Sequence, residues 1–159
     1  MGEDDPIVIA DEKYFNALMD ATRAAHEENG QHQISVDKCA KIVWRGVTKQ
    51  QALMAVIGDP LLVKAFISLE IDPVYYSEDY NIFERILFVR KEFRRHNHAA
   101  RLIRYAKHVS DEMGMDLMVG IISDHRLEAK ARLYERELAK GGVWFTHHPA
   151  KPKGVIDGV

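Results

Sequence analysis

The sequence predicts an α/β fold in which about four helices flank a mixed, mostly antiparallel sheet of six or seven strands. Three features carry that expectation. Apolar residues near the start recur at helical spacing, turn residues divide the middle into strand-length runs, and the second half alternates helix with strand. A strand, helix, strand unit between Ile82 and Ile122 calls for one locally parallel pair within the otherwise antiparallel sheet.

Ile7-Val8-Ile9 reads as a short strand ending at Ala10-Asp11. Phe15, Leu18, Met19, Thr22 and Ala25 then share one helical face, with Asp11 as N-cap and Asn29-Gly30 as the stop. Ser35 caps a shorter helix whose apolar face is Val36, Cys39, Ile42 and Val43. Strands follow from Gln51 to Ile57, Leu62 to Ile71 and Ile82 to Val89, divided by Gly58-Asp59-Pro60 and Asp72-Pro73. Ala99, Leu102, Ile103, Ala106, Val109 and Met113 return to helical periodicity, closed by Gly114 at the C′ position. Leu117 to Ile122 is apolar on both faces, as a central strand covered on both sides is. Asp124 caps a last helix marked by Leu127, Ala131, Tyr134 and Leu138, and Val143-Trp144-Phe145 forms a sixth strand. A seventh comes from Gly154-Val155-Ile156-Asp157 or from a second subunit, which would make the protein a homodimer.

At 159 residues the chain suits one compact domain, expected over residues 1–148, with 149–159 as a loosely held tail rich in Pro and Gly. It is 47% hydrophobic and 29% charged with a formal charge of −2, which gives no whole-molecule pull towards nucleic acid or anionic membrane. The one cysteine, Cys39, excludes an intrachain disulfide framework and suits a reducing compartment. Met1 to Pro6 is acidic and lacks the order of a signal peptide, and no apolar run reaches the ~20 residues that span a bilayer. A cytoplasmic protein is expected.

The chemistry concentrates between Val89 and Ile103, where a strand ends and an amphipathic helix opens after a short polar turn. Free N–H groups and the positive dipole end at a helix N-terminus suit phosphate oxygens. Arg90, Lys91, Arg94 and Arg95 crowd that same end, with Arg101 and Arg104 one and two turns on. Cations there are unfavourable unless an anion binds, so an anionic ligand is expected; a solvated basic face is the other reading of the same charges.

Val89 followed by Arg94-Arg95-His96-Asn97-His98-Ala99 resembles the GNAT N-acetyltransferases, in which a strand ending in Val leads to (R/Q)-x-x-G-x-(G/A) at the start of a helix. Asn97 stands where the pattern has its first glycine, and Asn is among the residues that best tolerate positive φ. The context agrees at Glu84, at Gly114-Met115-Asp116, at Leu133-Tyr134-Glu135 and at Gly141-Gly142 before Val143-Trp144-Phe145. Leu127 stands where the family often has Asn, seven residues before the Tyr. The resemblance spans Phe83 to Phe145, and the stretch from Ala99 to Tyr134 is similar to GNAT-type proteins encoded by bacteriophages.

The resemblance implies a sheet whose two central strands splay apart, and acetyl-CoA as cosubstrate without a metal. Backbone groups near Phe88 and Val89 would hold the pantetheine, and the turn from Arg94 and Arg95 through His96, Asn97, His98 and Ala99 would hold the pyrophosphate. Glu84 would be the base that frees the amine, and Tyr134 the donor to the departing thiolate. Each has a second reading: Glu84 as a partner of Arg85 or of a neighbouring strand, with Glu70 on the preceding strand as a rival base, and Tyr134 as a core residue.

His96-Asn97-His98 and His147-His148 are the close histidine sets, and neither brings the acidic or cysteine partners of a recognised metal site. A protein that modifies nucleic-acid bases is the alternative enzyme, since the arginines could follow a phosphate backbone. A non-catalytic interaction protein on the same fold is the other, on the strength of Asn97. The acceptor amine belongs to a small molecule, a protein or a modified base.

Overall fold

A computed structural model describes residues 5–29, 32–121, 126–142, 145 and 147 of the chain. The chain opens with strand β1 (Ile7–Ile9). Asp11 caps a short 3-10 turn, Glu12–Tyr14, that runs straight into helix α1 (Phe15–Asn29). Ser35 accepts the Lys38 amide and starts helix α2 (Val36–Val47). Three strands follow, β2 (Ala52–Gly58), β3 (Val63–Pro73) and β4 (Tyr80–Val89). Helix α3 (His98–Met113), strand β5 (Leu117–Met118) and helix α4 (Leu127–Glu137) complete the described elements. Asp124, expected to cap α4, lies outside the described residues; Arg126, with φ of 54°, precedes the helix.

The sheet runs in chain order, β1-β2-β3-β4-β5, with every pairing antiparallel except β4 with β5. Alternation along the strands divides the core in two. Met54, Val56, Phe66 and Phe88 face α1 and α2, where Leu18, Ala21 and Val43 cover them. Ala55, Ile57, Ala65, Ile67, Leu69 and Ile82 face the other side, under Leu102, Ile103 and Ala106 of α3 and Leu133 of α4. Phe66, Leu18, Ile67 and Leu102 are wholly buried, each side chain contributing about 1.5–3 kcal/mol through removal from water.

Turn chemistry follows the expected signals. Gly58 has φ of 124°, and a Cβ there would lie 2.3 Å from the Leu62 carbonyl oxygen, so the β2–β3 hairpin needs glycine. Asp59 accepts the amides of Leu61 and Leu62 at 2.7 and 3.0 Å and closes that turn. Gly114 ends α3 at φ of 64° in the left-handed conformation.

The strand count departs from expectation. The sheet has five strands among the described residues, not six or seven. Of the expected sixth, Val143 and Trp144 lie outside the described residues, and Phe145 is 91% exposed in no strand; residues 154–157 also lie outside. Leu117–Ile122 was expected as a covered central strand; Ile122 lies outside the described residues, and among those described only Leu117 and Met118 pair, with Met118 46% exposed. Among the described residues, β5 has a strand partner on one edge only.

The pairing of β3 with β4 contains a bulge. Ser68 lies opposite Ile86 and Leu69 opposite Glu84, which leaves Arg85 as the extra residue. One added residue reverses the alternation at that point. Ile86 and Phe88 face α1 and α2, whereas Glu84, opposite Leu69 and two residues from Ile82, faces α3 and α4.

Candidate active site

The site is built where β4 and β5 part. Ile82 and Phe83 pair with Leu117 and Met118, the Ile82 amide donates to the Asp116 carbonyl at 2.8 Å, and among the described residues no further rung follows. The next residue on β4 is Glu84. Its carboxylate reaches across the parting, accepting the Gly120 amide and, at 3.4 Å, the Tyr134 hydroxyl of α4.

Burial dominates the electrostatics of this pair. It pushes the Glu84 carboxyl up to about 7, against the smaller opposing effects of the Tyr134 hydrogen bond, the Lys130 charge, the Gly120 amide and Arg85. Burial, then the neighbouring Glu84 charge, also drives the Tyr134 phenol far above its ordinary value, so it keeps its proton. The Tyr134 ring packs against the α3-side core while its hydroxyl meets Glu84. Lys130 lies one helical turn before Tyr134, half-buried, within reach of the charges of Glu28, Glu84 and Arg94. Its ammonium is pushed below the usual lysine range, chiefly by burial.

Glu84 does not pair with Arg85 as the simpler reading held. Arg85 Nε donates to Glu70 Oε2 at 2.7 Å and its Nη2 to Asp72, while Arg45 of α2 stands 3.5 Å from Glu70 Oε1. Glu70 is thus a buried ion-paired residue on the face opposite Glu84.

The turn before α3 also differs from its sequence reading. Asn97 has φ of −85° and needs no left-handed tolerance; it is the residue that precedes α3, and its side chain makes no capping bond. The first intrahelical bond is from the Arg101 amide to the Asn97 carbonyl, at 3.0 Å. The amides of Asn97, His98, Ala99 and Ala100 therefore have no intrahelical acceptor, as at any uncapped N-terminus. His98 is fully buried with both ring nitrogens lacking a hydrogen-bond partner, and it packs 5.2 Å from the ring of His96. Burial holds the His98 imidazole below its usual value, with His96, Arg101 and Lys64 adding to that effect.

Most of the basic cluster is committed to the protein itself. Arg94 Nε donates to the Val89 carbonyl at 3.0 Å and its Nη2 to Glu28 at the end of α1. Arg90 holds the Val63 carbonyl and Asp20, Arg101 holds the Asp5 carbonyl, and Arg104 pairs with Glu137. Lys91 and Arg95 are exposed. The charge mismatch expected at the helix end is thereby largely relieved from within, and the unsatisfied amides remain as the feature suited to an anion.

Phe88 is buried on the α1 side against Phe66, ring centroids 6.2 Å apart. The Arg90 amide bonds to the Lys64 carbonyl at 2.9 Å, so alternation turns the polar backbone of Phe88 towards β3 and that of Leu87 and Val89 towards the parting. Sequence reasoning missed Lys130, the Gly120 amide and the arginine pair on Glu70. The i, i+4 spacing of Lys130 and Tyr134 was the one available signal. Among the described residues, no three His, Cys, Asp or Glu side chains converge as metal ligands do, and no helix is long and apolar enough to cross a membrane.

By sequence, the chain matches no protein-family profile and no curated protein. By structure it shares its fold with solved acetyltransferases. The aminoglycoside antibiotic 6'-N-acetyltransferase AAC(6')-IG of Acinetobacter haemolyticus superposes with a TM-score of 0.67 at 14% identity, over 93% of this chain and 99% of that one. AAC(6')-Iy, solved with the bisubstrate analog CoA-S-monomethyl-acetylneamine, gives 0.70 at 10% identity, over 92% and 98%. The ribosomal-protein-alanine N-acetyltransferase of Brucella melitensis biovar Abortus 2308 gives 0.65 at 12% identity, over 92% and 99%. The chain therefore has a GNAT-type α/β fold with a mixed sheet of five strands and four helices among the described residues.

Proposed function

We propose that the protein is an N-acetyltransferase that moves the acetyl group of acetyl-CoA to a primary amine, with Glu84 as base and Tyr134 as acid. The observation that carries this reading is Glu84, a half-buried residue at the parting of β4 and β5 whose carboxyl is raised to about 7 by its withdrawal from water and meets a protonated phenol at 3.4 Å. A base that titrates near neutrality combines a useful ionised fraction with the strength to accept a proton.

The residues present suit the cosubstrate. Uncapped amides of Asn97, His98, Ala99 and Ala100 meet the requirements of a pyrophosphate, and the backbone of Leu87 and Val89 beside the parting suits pantetheine amides. Arg94 positions that turn by tying Val89 to Glu28, while exposed Arg95 and the half-buried His96 flank it. Phe88 supports the strand from its other face.

Acetyl-CoA supplies an acyl thioester. Glu84 takes one proton from the acceptor ammonium, which exposes the lone pair that attacks the thioester carbonyl. The Gly120 amide and the Tyr134 hydroxyl hold the carboxylate in place for that transfer. As the C–S bond breaks, Tyr134 gives its proton to the thiolate, and Glu84 returns the proton it collected to Tyr134. The second amine proton leaves to solvent, so one amide and one thiol form for each ammonium consumed.

Isothermal titration of acetyl-CoA, followed by thiol release with a panel of primary amines, tests the reading. Micromolar binding with amine-dependent thiol release in the wild type, and binding without turnover in Glu84→Gln, is the expected result. No heat at millimolar acetyl-CoA overturns it.

A further inference from the structure

We propose that Arg85, seated on Glu70 with Arg45 beside it, binds a carboxylate of the acceptor, so that the acetylated amine belongs to a molecule carrying its own carboxylate, as amino acids and peptides do. This rests on the acetyl-transfer reading and adds the acceptor's chemical class to it.

Glu70 is 6% exposed on β3, between the apolar Leu69 and Ile71. Burying an ion pair gains little stability over a well-packed apolar residue of similar size, so the pair calls for another reason. Its arginines are not buried with it: their side chains are 44% exposed at Arg85 and 38% at Arg45. Glu70 therefore acts as a floor that holds two guanidiniums in place while they face solvent. The Phe83 ring lies 5.4 Å from the Arg85 guanidinium carbon and adds a second support.

Donor accounting points to an anion. Glu70 has both oxygens against arginine, and one oxygen of Asp72 takes Arg85 Nη2. Among the described residues no bond engages Arg85 Nη1, and Arg45 has Glu70 as its ion-pair partner through Nη1 alone. A planar guanidinium with free donors recognises a carboxylate in a way an ammonium does not.

Position connects the cluster to the chemistry. The bulge sets Glu84 towards α4 and leaves Arg85, its chain neighbour, on the opposite face, its guanidinium reaching back over Phe83 to Glu70 and Asp72, beside the last rung that joins β4 to β5. The α3 and α4 side is taken by Tyr134 and by the uncapped helix end suited to the cosubstrate. The acceptor's approach is then from the Arg85 side.

The test uses the full chain with acetyl-CoA and matched acceptors: amino acids and dipeptides against their C-terminal amides, plus a polyamine. The free carboxylates should show kcat/KM about tenfold or more above their amides, through KM, and Arg85→Gln should reduce that preference to about twofold. Arg45→Gln, a half-exposed change on α2, should reduce it in part and serves if Arg85→Gln does not fold. Titrated acetyl-CoA affinity should be unchanged in both variants. Amides or the polyamine used as well as the free carboxylates, or a preference untouched by either variant, overturns the proposal. So does bound acetyl-CoA with no transfer to any carboxylate-bearing amine, whereas failure to bind acetyl-CoA at all defeats the underlying reading.

Discussion

Glu70 and Glu84 stand on neighbouring strands of one sheet, on opposite faces, and the fold surrounds them with different partners. Glu70 has arginine against each oxygen, at 2.7 and 3.5 Å. Glu84 has a phenol and a backbone amide, and the charges of Lys130 and Arg85 are weaker influences than its burial. Two carboxyls of one type thereby separate into an ion-paired anchor and a group that exchanges its proton near neutrality. What decides between them is a single inserted residue. Without the bulge at Arg85, the residue at position 84 would share the face of Ile86 and meet neither Tyr134 nor α4.

Substitutions at these two sites should separate along the same line. Glu84→Gln should lower turnover by roughly 10²–10⁴-fold, with acetyl-CoA affinity by calorimetry unchanged. It should also alter stability with a definite sign. The folded value of about 7 lies above the unfolded 4.5, so Glu84 favours the folded state below the unfolded value and loses that contribution as pH rises to about 7. The loss is on the order of 3 kcal/mol. Thermal melts should therefore show Glu84→Gln gaining on the wild type at pH 8 and matching it at pH 4.

Glu70→Gln should do the reverse. It leaves two arginines facing a neutral amide and should cost about 2–3 kcal/mol in denaturant unfolding, below a fully buried pair because both arginines reach solvent. The pH dependence of turnover should keep its midpoint.

Tyr134→Phe removes the thiolate's proton donor and the hydroxyl that opposes the rise at Glu84. Turnover should fall about tenfold to a hundredfold, and the acid limb of the kcat/KM profile should move to higher pH. Lys130→Met is the mildest change. It withdraws a cation that lowers the Glu84 value, so the limb should rise by less than about one unit, with little effect on kcat/KM above it.

Much of the fold is legible from local pattern, because local physics decides it. Ser35 and Gly114 bound their helices as caps do, and Gly58-Asp59-Pro60 marks the hairpin that needs a positive φ. The extent of β5 was not legible: Leu117–Ile122 has the composition of a covered strand, and only its neighbours decide how far it pairs. The bulge left no signal either, since Phe83-Glu84-Arg85-Ile86 reads as ordinary alternation until its partner strand is known. The basic cluster misled for a related reason. The carboxylate partners of Arg90 and Arg94, Asp20 and Glu28, lie on α1, 70 and 66 residues away in sequence, and that of Arg104, Glu137, lies on α4. Glu84 and Tyr134, 50 residues apart, were singled out by resemblance to known proteins and not by spacing.

Glu84 is the one carboxyl in the described site that the fold keeps protonated to near neutrality. Carboxyl-detected NMR of protein carrying ¹³C-labelled glutamate, titrated from pH 4 to 9, observes it directly. One glutamate resonance should titrate with a midpoint near 7 and be missing from Glu84→Gln. A spectrum in which every glutamate titrates in its ordinary range near 4.3, or a neutral-range resonance that survives in Glu84→Gln, would contradict it.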